Sequence, residues 1–221
     1  MPRLNNLRAV LFDFDGTLMP SLPLWLKAYQ ATLHNFGIDI PDDDVLRRCL
    51  FRDWEHVAAE FNVFTAEQLQ AQLAIGLKQA FAEAALFPLA EDVLKHCREH
   101  GLRVALVTSS PRALVVDVIG RLLIHELFDY VVCGDDVKNY KPHPEPVLAA
   151  LASFNLDPHE AIMIGDSHVD ILAAKRPVRV PPCSCMKITA GFIAPQSCER
   201  RVRIISSRTM RNCHSCWDCR S

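Results

Sequence analysis

Residues 8–18 read RAVLFDFDGTL, an apolar run that ends on two aspartates one residue apart. The bulky side chains at positions 9–12 predict a buried strand. Such a strand should not end on Asp13 and Asp15 without compensation, because unpaired charge near a core is costly or is neutralised by a pKa shift. A divalent cation is the simplest compensator. Taken alone, the stretch is also typical of a surface turn, since Asp and Gly favour turns.

The bulk composition indicates a globular protein. The chain has 221 residues, of which 50% are hydrophobic, enough for one large domain or two small ones with a substantial core. No apolar segment reaches the length of about 20 residues that a membrane span requires. The first apolar run ends in aspartates rather than a small-residue cleavage site, which argues against a signal peptide. We therefore expect a cytoplasmic protein that does not contact a membrane.

The composition changes abruptly near residue 175. Residues 1–174 carry 24 Asp and Glu against 14 Lys and Arg, whereas residues 175–221 carry 2 against 10. Six of the nine cysteines lie in the last 39 positions, and leucine is absent after Leu172. Such shifts mark a boundary.

The order of periodic patterns predicts an α/β fold. Residues 24–86 contain several helical patterns and no strand pattern, so this segment reads as an all-α insert after the first strand. Short apolar strands at 102–107, 130–133 and 161–164 then alternate with amphipathic helices. This alternation predicts a Rossmann-like parallel sheet with helices on both faces.

Polar residues follow the apolar strands at their carboxyl ends. In an open parallel sheet these ends share one edge, where ligands bind. Several Asp oxygens without His or Cys suit Mg²⁺, and hydroxyl and backbone N–H groups at a helix N-terminus suit a phosphate. A lysine in the same place suits the charge of a phosphate. The residues expected to converge are Asp13, Asp15, Thr108, Ser109, Lys141, Asp166 and Asp170.

Four short motifs, DFDGT, VTSS, KPHPEP and GDSHVD, occur in this order and spacing. Together they resemble the signature motifs of the haloacid dehalogenase-like hydrolases, and the resemblance covers residues 8 to about 174. The helical insert resembles the small cap of the phosphoglycolate phosphatase-like branch. The predicted organisation is therefore an α/β core from 1–19 and 88–175, a helical cap at 20–87, and a Cys- and Arg-rich tail at 176–221.

The resemblance implies a role for each residue that matches a motif. Asp13 matches the nucleophile that forms an aspartyl-phosphate, and Asp15 matches the general acid that protonates the leaving oxygen and then activates water. Lys141 matches the lysine that stabilises the nucleophile and the phosphoryl charge.

The remaining motif residues match those that bind phosphate and metal in the family. Thr108, aided by the backbone of Ser109, matches the hydroxyl that holds the phosphoryl group, together with Lys141. Asp166 matches the Mg²⁺ ligand, alongside the carboxylate of Asp13 and the carbonyl of Asp15. Asp170 matches a second acid that supports the metal waters or the lysine.

Simpler alternatives stand beside these assignments. Lys141 is also compatible with a solvated loop lysine, and Asp170 with an acid on a helix surface. Asp135 and Asp136 follow a strand too, but they are at least as typical of a turn.

The histidines and the cap give weaker signals. We favour a structural role for His143 and His168, because Asp15 already fills the role of acid and base. Pro20 occupies a position that is usually acidic in the family, which leaves substrate contact there in doubt. Three cap residues are compatible with substrate contact, with core packing or with the surface: Trp25, His34 and Arg48.

The tail departs from the family. Three prolines within residues 177–182 exclude a central strand there. The end, CHSCWDC at 213–219, has metal-ligand spacing, so a zinc or iron–sulfur site is one interpretation. The favoured interpretation is a tail translated from an altered frame or exon, followed by a disordered functional tail, and the metal site comes last. A disordered tail would leave the sheet without an edge strand.

These observations predict a Mg²⁺-dependent phosphatase that hydrolyses a small phosphomonoester, such as phosphoglycolate, through an aspartyl-phosphate on Asp13. A pyrophosphatase or a phosphosugar mutase would use the same residues. From another class, a catalytically impaired and C-terminally altered family member would have no enzymatic role. The expected partner is a small phosphorylated metabolite, and nucleic-acid binding by the basic tail is not favoured.

Overall fold

The structure is a computed structural model that describes residues 7–50, 52–175 and 204–205. Its centre is a parallel sheet in the order β3-β2-β1-β4-β5. Because β1 lies between β2 and β4, the strand that carries the two aspartates occupies the middle of the sheet. The strands are β1 (Ala9–Phe12), β2 (Arg103–Val107), β3 (Tyr130–Val132), β4 (Ala161–Ile164) and β5 (Ile204–Ile205).

Helices cover both faces of the sheet. Successive side chains of β1 point to opposite faces, so Val10 and Phe12 join one apolar cluster while Ala9 and Leu11 join another. The first cluster includes residues of α5 and α6, and the second includes residues of α7 and α8. This arrangement confirms the predicted α/β architecture. The helices are α5 (Ala90–Glu99), α6 (Arg112–Arg121), α7 (Glu145–Phe154) and α8 (His168–Lys175).

Between β1 and β2 the chain forms four further helices, which we call the cap, and, within the described part of 20–87, no strand. Thr65 caps the longest of them in a capping box with Gln68, as the Thr-x-x-Gln pattern predicts. This helix packs on the first cap helix at Gly76, where an added Cβ would lie 2.9 Å from the carbonyl oxygen of Ala28. The four are α1 (Leu22–Asn35), α2 (Asp42–Arg48), α3 (Trp54–Phe61) and α4 (Ala66–Ala80).

Short 3₁₀ turns join several of these elements. One of them, Phe81–Glu83, continues directly from α4, and an Arg121 guanidinium N–H from α6 donates to the carbonyl oxygen of Phe81. The cap is thereby joined to a helix of the core. The other turns are His125–Leu127, Gly134–Asp136 and Pro158–Glu160.

The expectation that the sheet lacks an edge strand is wrong, because a short strand, β5, pairs with β4 at the edge of the sheet. Ile204 and Ile205 pair in parallel with Met163 and Ile164 of β4. The prolines that exclude a central strand lie at 177–182, whereas β5 consists of two β-branched residues, which favour strands, and an edge strand needs backbone pairing on one side only. The other predictions for the tail, including a metal site at 213–219, lie outside the described residues.

Across the described part of the chain, no helix combines the length and the apolar character needed to cross a membrane.

Candidate active site

The predicted site residues converge where the parallel strands end. Asp13 directly follows β1, and its backbone N–H donates to the carbonyl oxygen of Ile164 at the end of β4. Thr108 directly follows β2, and its N–H donates to the carbonyl oxygen of Val132 in β3. The two side chains are buried, with residue exposures of 5% and 1%. The sheet geometry thus brings Asp13 and Thr108 to one edge, as the sequence predicts.

Lys141 lies at the centre of this edge. Its ammonium group donates to Asp13 Oδ1 at 2.5 Å, to Asp170 Oδ1 at 2.7 Å and to the carbonyl oxygen of Val107 at 2.9 Å. Residue exposures of 6% for Lys141 and 0% for Asp170 exclude both the solvated-lysine and the surface-acid interpretations. Asp170 also accepts hydrogen bonds from the backbone N–H and the hydroxyl of Ser167, so its carboxylate is held in place from two sides.

The charges in this cluster do not balance. Burial raises the pKa of Asp13 from 3.8 to about 7, although Lys141 opposes that rise. Burial also disfavours the charged form of Lys141, but the carboxylates of Asp13 and Asp170 outweigh it and raise the pKa of the lysine. Partial burial and the neighbouring Asp170 raise the pKa of Asp166. Three acids around one ammonium group leave an excess of negative charge that another cation would relieve.

Asp166 lies on the open side of the cluster, beside the turn that follows Asp15. Gly16 has a φ of +75°, and a Cβ added there would lie 2.3 Å from Asp166 Oδ2. Glycine is therefore needed both for the backbone conformation and for the close approach of the carboxylate. The Thr17 hydroxyl lies 3.3 Å from Asp13 Oδ2 and 3.5 Å from Asp166 Oδ1, which links the two acids.

A divalent cation fits the oxygen atoms of this cluster. Carboxylate oxygens of Asp13, Asp166 and Asp170 all lie within 4.8 Å of one another. Oxygen-only ligands of this kind suit Mg²⁺ rather than zinc or copper. Burial raises the pKa of Asp13, and a bound cation would counter that rise by favouring the ionised carboxylate. The residues present therefore fit the metal that the sequence predicts.

Asp15 is held differently from Asp13. Its Oδ1 accepts a hydrogen bond from the indole N–H of Trp25 at 2.8 Å, and its Oδ2 accepts one from the hydroxyl of Ser110 at 2.6 Å. Trp25 belongs to the cap helix α1, and Ser110 follows β2 in the core. The Asp15 carboxyl group therefore lies between the cap and the core.

The loop after β2 brings the buried hydroxyl of Thr108 to the same edge as Asp13. Thr108 Oγ1 accepts a hydrogen bond from the N–H of Ser110 at 3.0 Å, which fixes the turn. The side chain of Ser109 is exposed, so the contribution expected of this residue is that of its backbone.

Sequence reasoning did not assign Thr17 or Ser110 to the site, and it left the role of Trp25 open. Thr17 belongs to the DFDGT motif, so its position next to Asp13 was a usable signal. Ser110 is the second serine of VTSS, but only the sheet geometry points its hydroxyl at Asp15. Trp25 was one of several cap residues with no feature to distinguish them.

The other candidates have partners outside the cluster or are exposed. Asp135 accepts from the backbone N–H of Arg112 and Asp136 from its guanidinium, in a 3₁₀ turn, which agrees with the turn interpretation. His143 Nδ1 accepts from the backbone N–H of Glu145 at the start of α7. Within the cap, His34 contacts Asp39, and Arg48 contacts Glu60 and the ring of Phe61. His168 is exposed.

Comparison with known proteins gives consistent matches. The family model described as haloacid dehalogenase-like hydrolase matches residues 10–178. The chain is 30% identical over 172 residues to pyrophosphatase PpaX of Bacillus pumilus (strain SAFR-032), which covers 77% of this chain and 80% of that protein. It is 28% identical over 198 residues to the phosphoglycolate phosphatase of Photorhabdus laumondii, which covers 86% of this chain and 83% of that protein.

A solved structure is similar to this chain in its fold. A variant of CbbY from Rhodobacter sphaeroides in complex with xylulose-1,5-bisphosphate has a TM-score of 0.69 at 23% identity, covering 76% of this chain and 82% of that one. The family match at 10–178 contains every predicted site residue from Asp13 to Asp170. From the extent of that match we conclude that the chain belongs to the haloacid dehalogenase-like hydrolase family.

Proposed function

We propose that the protein is a Mg²⁺-dependent phosphatase that hydrolyses a small phosphomonoester through an aspartyl-phosphate on Asp13. The observation that carries the proposal is the position of Asp13. Its carboxylate is buried at the end of the central strand, 2.5 Å from the ammonium group of Lys141 and next to the Asp166 and Asp170 carboxylates. A nucleophilic carboxylate needs this combination of fixed orientation and nearby positive charge.

Asp13 and Asp166 would hold the metal, with the backbone carbonyl of Asp15 as a third protein ligand. The ion, when bound, supplies positive charge that favours ionised Asp13 and polarises the phosphoryl group. Asp170 has a different part in this proposal. It pairs with Lys141 at 2.7 Å through one oxygen and accepts from Ser167 with the other, so it orients the ammonium group and adds negative charge beside Asp13 and Asp166.

The first half-reaction transfers the phosphoryl group to the enzyme. An Asp13 carboxylate oxygen forms a bond to phosphorus while the bond from phosphorus to the leaving oxygen breaks. The carboxyl group of Asp15 gives its proton to that oxygen, so the product leaves as an alcohol. Lys141, Thr108 and the backbone of Ser109 stabilise the negative charge on the transferred group.

The second half-reaction returns the enzyme to its starting state. Water attacks phosphorus, the bond between the Asp13 oxygen and phosphorus breaks, and the Asp15 carboxylate accepts the proton from the water. Inorganic phosphate leaves, and Asp13 is again a carboxylate while Asp15 is again protonated.

The names of the relatives support a small phosphorylated substrate. One is called a phosphoglycolate phosphatase and another a pyrophosphatase, and the CbbY structure contains a sugar bisphosphate. We therefore propose phosphoglycolate-like monoesters as the first substrates to test and inorganic pyrophosphate as the second. A cytoplasmic location, as predicted from the sequence, suits the free thiols of Cys49, Cys97 and Cys133.

The test is phosphate release by the full chain with and without Mg²⁺. The panel contains p-nitrophenyl phosphate, phosphoglycolate, pyrophosphate and hexose phosphates. We expect Asp13→Asn to lower turnover at least about 10³-fold, and exposed Asp117→Asn to leave it unchanged. Acid quenching of wild type should trap a hydroxylamine-sensitive phosphoryl group that the Asp13 variant lacks. Full activity in Asp13→Asn would refute the mechanism, and an inactive wild type would favour the impaired family member.

A further inference from the structure

The carboxyl group of Asp15 is oriented by one donor from the cap and one from the core. The indole N–H of Trp25 lies 2.8 Å from Oδ1, and the hydroxyl of Ser110 lies 2.6 Å from Oδ2. Both donors are neutral, so they orient the carboxyl group without adding a positive charge beside it. Lys141, the cation of the site, donates to Asp13 and Asp170 instead.

Trp25 is itself held firmly. Its ring contacts the ring of Phe81 edge-on, with centroids 5.7 Å apart and an interplanar angle of 81°. It also lies against Tyr29, with centroids 6.2 Å apart. Phe81 is fully buried, and its carbonyl oxygen accepts a hydrogen bond from Arg121 of the core. Packing on two aromatic neighbours leaves the indole few alternative orientations, so its N–H is a preorganised donor.

We propose that Trp25 is a positioning residue for proton transfer. Its indole N–H holds the Asp15 carboxyl group where it can protonate the leaving oxygen, and this links the position of the acid to the position of the cap. The inference rests on the proposed phosphatase function. It assigns to Trp25 no contact with the substrate, so the residue is not a catalytic residue in the strict sense.

If Trp25 positions Asp15, the rate loss caused by removing the indole N–H should depend on the leaving group. A proton from Asp15 matters most when the leaving oxygen is basic, and least when it departs readily as an anion. Phenyl phosphate releases phenol, whose pKa is about 10, like that of tyrosine. p-Nitrophenyl phosphate has nearly the same shape and a much more acidic leaving group. Misplacing Asp15 should therefore slow the first ester more than the second.

The experiment compares kcat/KM for the two esters, because this constant reports the steps through formation of the aspartyl-phosphate. In Trp25→Phe, which keeps an aromatic ring and loses the N–H, we expect a fall of about 10- to 100-fold for phenyl phosphate. For p-nitrophenyl phosphate we expect a change of at most about 3-fold. The matched control is Trp54→Phe in the cap helix α3, which should leave the ratio of the two constants at the wild-type value.

A second variant removes the donor without changing the shape of the side chain. Replacing Trp25 with benzothienylalanine puts sulfur in place of the N–H, and we expect the same selective loss. Ser110→Ala should shift the ratio in the same direction, because it removes the other donor. Thermal unfolding of each variant with Mg²⁺ checks that the fold is retained.

The outcomes separate the two proposals. If wild type hydrolyses both esters, requires Asp13, and shows an unchanged ratio in the benzothienylalanine variant, the role of Trp25 is refuted and the phosphatase function stands. An equal loss for both esters would refute it too, because that result indicates a general structural defect. A wild-type chain that releases phosphate neither from these two esters nor from phosphoglycolate, pyrophosphate or hexose phosphates overturns both proposals.

Discussion

Replacing Lys141 with methionine removes an ammonium group from a buried cluster of carboxylates while keeping an unbranched side chain of similar length. The lysine side chain is 3% exposed, and its partners Asp13 and Asp170 are 8% and 0% exposed. Solvent therefore cannot replace the lost hydrogen bonds, and two carboxylates remain close together without their counter-charge. Removing one partner of such a buried pair costs about 3–5 kcal/mol in the free energy of unfolding.

The assay is urea unfolding followed by far-UV circular dichroism, in chelator to remove divalent metal. With a slope of about 2 kcal/mol per M urea, the loss corresponds to a midpoint about 2 M lower than that of wild type. A buffer about one pH unit above the pKa of Asp13, which is about 7, keeps that carboxylate ionised in wild type, so the ion pair is present there. Loss of the ammonium group raises the pKa of Asp13 further in the variant, so uptake of a proton by Asp13 should hold the loss toward the lower end of the range of about 3–5 kcal/mol.

The control is Lys138→Met, since Lys138 lies three positions earlier in the same loop and is exposed. A surface change of this kind should alter the free energy of unfolding by less than about 0.5 kcal/mol. If Lys141→Met cost no more than this control, the buried lysine would not compensate the carboxylates, and the electrostatic description of the site would be wrong.

Three further predictions follow from close contacts and burial. Gly76→Ala adds a Cβ 2.9 Å from the carbonyl oxygen of Ala28, so urea unfolding should show a loss of about 1–3 kcal/mol despite the better helix propensity of alanine. Gly16→Ala places a Cβ 2.3 Å from Asp166 Oδ2, and the Mg²⁺ concentration that gives half-maximal activity should rise about 10- to 100-fold; an unchanged value would mean that Asp166 is not a ligand. The pKa of Asp13, raised to about 7, means that the folded state binds its proton more tightly than the unfolded state. The stability of metal-free wild type relative to Asp13→Asn should therefore fall as pH rises from about 4 to about 7, in urea titrations at both ends of that range, and a flat difference would contradict the raised pKa.

The local elements were predictable from the sequence because their causes are local. The apolar run at 9–12, the Thr65–Gln68 capping box and the alternation of strands and helices each act within a few residues. Since parallel strands place their carboxyl ends at one edge, the order of the motifs was enough to predict which polar residues meet there.

The contacts that give each residue its environment were not predictable in this way. Lys141 lies 128 positions from Asp13, and Ser110 lies 95 positions from Asp15. A lysine in a proline-flanked loop has the same local sequence whether it is solvated or buried, and only the packed fold decides between the two.

The sequence alone determined the central strand, the two aspartates at its end and the set of oxygen and lysine groups that accompany them, because strand periodicity and sheet topology fix these features. Tertiary structure decided how the two aspartates differ. Asp13 is buried against Lys141, whereas Asp15 is oriented by Trp25 from the cap and Ser110 from the core. The difference arises because β1 ends at Phe12 and the chain turns at Gly16, so the strand fixes neither carboxylate and only the assembled cap and core determine what each one meets.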